Sequence, residues 1–134
     1  MKSINIFLIL LCLVELSCSK VYKINNLFGK WSGIKDNKEI IINFKDDKTF
    51  NIIIKDKIEI IEENFSGVYI VDFSKRPIPL SFKKVQELNH SLYTIIEFID
   101  NDIIKFGLLT KNERIRNIAF EDTKHIVLKR LNEY

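Results

Sequence analysis

The residues with chemistry to offer are few and scattered. In 134 residues the chain carries two histidines, His90 and His125, and two cysteines, Cys12 and Cys18. Nucleophilic catalysis needs a base within hydrogen-bond reach of a nucleophile, and a third group to orient that base. His90 lies in a polar stretch beside Glu87 and Asn89, and His125 opens an apolar alternation. Neither has a serine and an aspartate at a recognisable spacing, so both read as surface histidines. Glu62, Glu63 and Glu97 are the carboxylates a paired acid–base mechanism would use, but their spacing does not set them face to face. Asp100-Asn101-Asp102 lacks the glycine and later glutamate of a calcium loop and reads as a turn. The expectation is a protein that is not an enzyme and takes no cofactor and no metal.

The cysteines mean more by their position. Met1 and Lys2 form a short positive start, residues 4–14 are nearly all apolar, and Glu15 closes the run. A secretory signal has an apolar core of ~7–15 residues, whereas a spanning helix needs ~20. Cys18 follows, directly behind the small Ser17. This arrangement resembles a bacterial lipobox, the signal of a lipoprotein. Cys12 is a poor competitor, because Leu11 precedes it and the apolar core would be cut short. The resemblance implies that residues 1–17 are a cleavable signal peptide, that Cys18 carries diacylglycerol, and that its new amine is acylated by a palmitate-type chain. Residues 18–26 are then a lipidated N-terminus and tether. Ser19, rather than an aspartate, after the cysteine implies the outer membrane, facing the periplasm or the cell surface. Two acyl signals suffice for anchoring without a spanning helix.

Removing 17 residues from 134 leaves 117, and Lys2 and Glu15 leave together, so the net charge stays at +3. With no cysteine beyond Cys18, neither a disulfide within the mature chain nor a Cys/His zinc site is expected. Acidic and basic residues interleave, as in Lys55-Asp56-Lys57, and no basic stripe of the nucleic-acid kind is present. The expected partners are a membrane through lipidated Cys18, a small apolar ligand and a protein, with no nucleic acid.

The elements that position these residues read as strands. Isoleucine is abundant, Ala119 is the single alanine, and no segment keeps a helical period over ten residues. Ten β-branched or aromatic runs stand out, at 27–34, 39–45, 49–55, 58–62, 65–73, 78–84, 92–99, 103–109, 116–120 and 125–131. Asp46-Asp47-Lys48 and Asp100-Asn101-Asp102 are hairpin connections. Pro77 and Pro79 argue against a central paired position there. Short, evenly spaced strands imply an antiparallel meander, and closure removes its edges. The fold expected is all-β: a single antiparallel up-and-down β-barrel of about 8–10 strands over residues 27–134, with a two-sheet sandwich as the alternative.

Gly29-Lys30-Trp31 opens the first strand, and Phe44-Lys45-Asp46-Asp47-Lys48-Thr49-Phe50 forms the first hairpin. Gly67, Tyr69 and Asp72 precede Pro77 and Leu80. Together these resemble the Gly-x-Trp opening and first hairpin of lipocalin-like, calycin-type barrels in small bacterial proteins, over about residues 27–130. Lys48 stands where such hairpins commonly have glycine. The resemblance implies a closed barrel end where Trp31 packs against a basic residue of the last strand. Period two puts Arg130 on one face with Ile126 and Leu128, so Arg130 is the expected partner. Gly29, Trp31 and Arg130 form this structural signature.

Alternation also turns Ile42 with Phe44, and Phe50 with Ile52 and Ile54, to one face. Phe44, Phe50, Ile52, Phe98, Phe106 and Leu108 are the candidate walls of an apolar pocket, or else simple core, since about eight strands leave just enough room for side chains. The function expected is a membrane-anchored, non-catalytic lipoprotein binding a small apolar ligand. The alternative is a protein-interaction lipoprotein, lysozyme-inhibitor-like or host-factor-binding, acting through loops such as 74–79 and 86–91.

Overall fold

Alternating apolar residues fold into eight strands that close on themselves. The structure is a computed structural model and describes residues 20–116, 118–120 and 124–132. The signal-peptide and lipid-attachment expectations for residues 1–17 and Cys18 lie outside the described residues. The strands are β1 (Gly29–Lys35), β2 (Lys38–Phe44), β3 (Thr49–Asp56), β4 (Glu62–Val71), β5 (Ile78–Lys83), β6 (Leu92–Phe98), β7 (Ile103–Gly107) and β8 (His125–Leu131). Each pairs antiparallel with the next, and β1 pairs with β8 through Trp31 opposite Arg130, closing the barrel in chain order. The architecture is the all-β up-and-down barrel expected, and it is compatible with a lipocalin-like fold.

Eight strands form where ten runs were counted. Residues 58–61 link β3 to β4, because Asp56 Oδ1 accepts from the Ile58 and Glu59 N–H groups at 2.9 and 3.1 Å and Ile60 takes φ +55°. Those bonds turn the chain before a ladder can form. Residues 116 and 118–120 lie in the connection from β7 to β8, where Arg116 is bound sideways to Ser81 on the barrel wall (Nη2 to Oγ, 2.6 Å). Pro79, in turn, lies within β5 opposite Ile95. Its carbonyl accepts from Asp72 N at 3.1 Å, so its missing N–H falls at the end of the β4–β5 ladder and costs no bond.

The turns follow side-chain chemistry. Asp36 and Asn37 both take positive φ, as a two-residue hairpin with the right twist requires. Lys48 also takes φ +68°, so the first hairpin uses the left-handed position without glycine. Asp47 steadies it by accepting from Thr49 N at 2.9 Å.

The core is the inward face of every strand. Trp31, Ile42, Phe44, Ile52, Leu80, Phe82, Ile96, Ile104 and Leu128 are almost completely buried. Aromatic rings cross the barrel interior: Phe82 of β5 lies 4.5 Å from Phe50, 6.2 Å from Phe44 and 6.3 Å from Phe106. Such pairs contribute ~0.5–1.5 kcal/mol each beyond their burial. Among the described residues no helix is long and apolar enough to cross a membrane.

Candidate functional site

One end of the barrel is shut by the residues that precede β1. A short 3-10 turn at Ile24–Asn26 brings Leu27 inside, where its carbonyl accepts from Trp31 Nε1 at 2.9 Å. Tyr22 stacks on Phe98 with ring centres 4.4 Å apart, whereas the neighbouring Val21 stays exposed. Arg130 lies over the Trp31 ring at 4.2 Å. Its guanidinium donates to the carbonyls of Phe28, Asn26 and Asn101 and to Asp102 Oδ1. One side chain thus ties together the entry segment, the β6–β7 turn and β8. Gly29 has a physical reason to be glycine: its φ is +115°, and a Cβ would meet Arg130 Nη1 at 3.1 Å. This cluster is fully engaged with itself and is a structural clasp.

The residues proposed as pocket walls are placed as follows. Phe44, Phe50, Ile52, Phe98 and Phe106 are all buried; the rings of Phe44, Phe50 and Phe106 meet through Phe82, whereas Phe98 packs edge-on against Trp31. Leu108 is not with them: it is 49% exposed. Alternation ends at Gly107, after which the chain turns outward to pair Thr110 with Tyr93 on the outer wall. Tyr69 closes this aromatic group, donating its phenol to the Lys45 carbonyl at 2.8 Å. Burial first, then the charges of Asp47 and Asp46, push its pKa up to about 12.

The remaining chemical candidates stay apart. Glu62 and Glu63 are on β4 and Glu97 is on β6, with β5 between them. Asp100-Asn101-Asp102 forms the β6–β7 turn, with Asp100 Oδ1 accepting from Asp102 N at 2.7 Å. His90 Nδ1 is 3.2 Å from the Ser91 carbonyl, and the His125 ring meets Phe120 edge-on. No group of three His, Cys, Asp or Glu side chains gathers as a metal site among the described residues.

Two features of the outer surface were missed. At the end opposite the clasp, Ile34, Ile58, Ile60 and Ile61 are 59%, 71%, 91% and 51% exposed. The loop that carries the last three is pinned: Asp56 N donates to Ile61 O at 2.9 Å and Lys57 N to Asn37 O at 3.0 Å. The N–H groups of Glu59 and Ile58 hold the Asp56 carboxyl below its ordinary pKa. The clue in the sequence was the run Ile58–Ile61, which strand periodicity absorbed. On the side wall, a cleft of about 450 Å³ opens beside Asn43, Asn51, Ser66 and Gln86. Its clue was the repetition of amides at outward positions of β2 and β3.

A further cluster fixes the long β7–β8 connection. Lys83 Nζ donates to the Tyr93 phenol at 2.8 Å, which lowers that phenol's pKa, and Arg116 lies over the same ring at 5.1 Å. With the Arg116–Ser81 bond, this clamps the connection to the outer wall. Comparison with family models finds no match, and comparisons with curated proteins and with solved structures find no significant one.

Proposed function

We propose that the chain is a non-catalytic, lipid-anchored bacterial lipoprotein whose barrel presents a docking tip to a protein partner. The observation that carries this reading is the isoleucine tip at the end opposite the clasp. A β-branched residue at positive φ and 91% exposure, in a loop with its backbone tied down, is held in place for display. The tip also lies at the useful end. The tether enters beside Tyr22 and Trp31 at the closed end, and β1 runs from there to the Asp36-Asn37 turn that contacts the tip loop. An anchor at Cys18 therefore points Ile58, Ile60 and Ile61 away from the membrane that holds it. Burying an isoleucine side chain contributes ~1.5–3 kcal/mol, so three form an adequate apolar anchor for a partner.

The other reading places a small apolar ligand inside the barrel. It requires room among Phe44, Phe50 and Phe106, and the rings there already meet through Phe82. The outer surface is the better supported. Loops 74–79 and 86–91 expose charged and amide groups and hold no apolar cluster of this kind.

The test is site-specific photocrosslinking in intact cells. A benzoylphenylalanine at position 60 is expected to give one discrete adduct, lost on Ile58→Ser/Ile61→Ser, while the same probe at position 129 gives none. Equal crosslinking from both positions, or none from position 60, contradicts the reading.

A further inference from the structure

Opposite charges face one another across the outer wall at a few places: Glu39 faces Lys55, Lys55 faces Glu62, and Glu97 faces Lys105. Another row is lined by amides. Asn43 is paired with Asn51, Asn51 with Ser66, and Gln86 donates its backbone N–H to the Ser66 carbonyl at 3.0 Å. Four uncharged polar residues thus follow one another across β2, β3, β4 and the chain leaving β5; Ser66 is already engaged, its N–H and hydroxyl donating to the Glu87 carboxylate at 3.0 and 3.1 Å, which leaves the three amides. Strands lie ~4.8 Å apart, so the row is about 14 Å long.

The row lies in a cleft because of Gly67. A Cβ there would come within 2.5 Å of the Lys83 carbonyl and 2.8 Å of the Lys84 carbonyl. The absent side chain lets the chain leaving β5 cross tightly over β4, which raises Lys84 and Gln86 as one wall. Lys45 stands at the other rim, and the cleft, open to solvent, has a volume of about 450 Å³.

The amides have their bonding capacity to spare. Asn43 and Asn51 are half-buried, and neither they nor Gln86 makes a side-chain hydrogen bond among the described residues. Each amide offers two donors and an acceptor that takes two bonds. Sugar hydroxyls likewise donate and accept at once, so a line of amides matches a line of hydroxyls without requiring a charge. The lysines at the two rims favour a chain that also carries carboxylates.

We propose that this cleft binds an acidic oligosaccharide, its hydroxyls bonded to Asn43, Asn51 and Gln86 and its carboxylates facing Lys45 and Lys84. The site is separate from the isoleucine tip and uses none of its residues.

The test is nitrogen-15 NMR on the purified full-length chain in detergent, titrated with tetragalacturonate and, as the neutral counterpart, cellotetraose. Saturable shifts of the Asn43 and Asn51 side-chain amides are expected, with tetragalacturonate bound at least fivefold tighter. Asn43→Ala/Asn51→Ala is expected to weaken binding tenfold or more with an unchanged melting temperature. Lys84→Ala is expected to remove the preference for the acidic sugar, and Ile60→Ser to change nothing. The proposal is overturned if neither sugar gives a saturable shift. It is equally overturned if the shifts fall on other residues, or if the double-alanine protein binds as the wild type does. The shift map on the unmodified chain decides the matter independently of any variant.

Discussion

Replacing Arg130 with alanine removes the side chain that joins three parts of the closed end. Its stacking over Trp31 contributes ~0.5–2 kcal/mol. Hydrogen bonds from a charged donor contribute ~1.5–3 kcal/mol each. The bonds to the Phe28, Asn26 and Asn101 carbonyls do not add in full, because the rim is partly wet and those carbonyls regain water. The pair with Asp102, whose side chain is 71% exposed, adds less than about 1 kcal/mol. The net loss is about 3 kcal/mol, which for a domain of this size lowers the melting temperature by roughly 10 °C. Trp31 is the single tryptophan, so urea unfolding followed by its fluorescence reports on the perturbed site itself. Arg130→Lys keeps the charge and loses the fork, and is expected to lose more than half as much. A loss below about 0.5 kcal/mol for Arg130→Ala, with an unchanged urea slope, would refute the clasp.

Other consequences follow from particular residues. Gly29→Ala forces a side chain onto a φ of +115° and against Arg130, and calorimetry is expected to show a loss of ~1–3 kcal/mol. Lys48→Gly relieves a side chain at φ +68° in the first hairpin and is expected to stabilise the fold by up to about 1 kcal/mol in the same experiment. Tyr69, raised to about 12, stays protonated in the folded state while an unfolded tyrosine ionises near 10. Stability from this group is complete below pH 10 and falls as pH rises towards 12; Tyr69→Phe is expected to flatten that fall in alkaline unfolding curves. Asp56 has the opposite sign: its lowered pKa stabilises the tip loop above the ordinary carboxylate range, and the effect is lost as pH falls through the folded value. Hydrogen exchange at Ile58 N and Glu59 N is expected to quicken there relative to the barrel strands.

The barrel was legible because period-two alternation holds wherever a strand has one buried face. Trp31, Phe44, Phe50 and Leu128 all obey it. Arg130 was legible because the lipocalin-like resemblance implied a basic residue of the last strand against Trp31, and parity with Ile126 and Leu128 selected it. Alternation failed where a side chain competed with the ladder. Asp56 caps the turn that makes 58–61 a loop, and Arg116 binds Ser81 instead of extending a ninth strand. Leu108 was misplaced because alternation cannot tell where a strand ends. The cleft depends on which outward residues become neighbours across strands, and register of that kind is invisible in a single run of sequence. Gly67 marked the crossing, but its reason is the backbone of a different strand.

Inside the barrel Phe82 bridges the rings of Phe44, Phe50 and Phe106, and the function proposed above therefore places recognition on the outer surface. Titration of the purified protein with a fluorescent fatty acid, read by energy transfer from Trp31, separates a filled barrel from a hollow one. No saturable transfer is expected from the wild type. Phe82→Ala, which removes the ring touching Phe44, Phe50 and Phe106, is expected to lose about 3–5 kcal/mol and to gain uptake of the probe. Stoichiometric, displaceable binding of the fatty acid to the wild-type barrel would show a hollow interior and overturn the outer-surface reading.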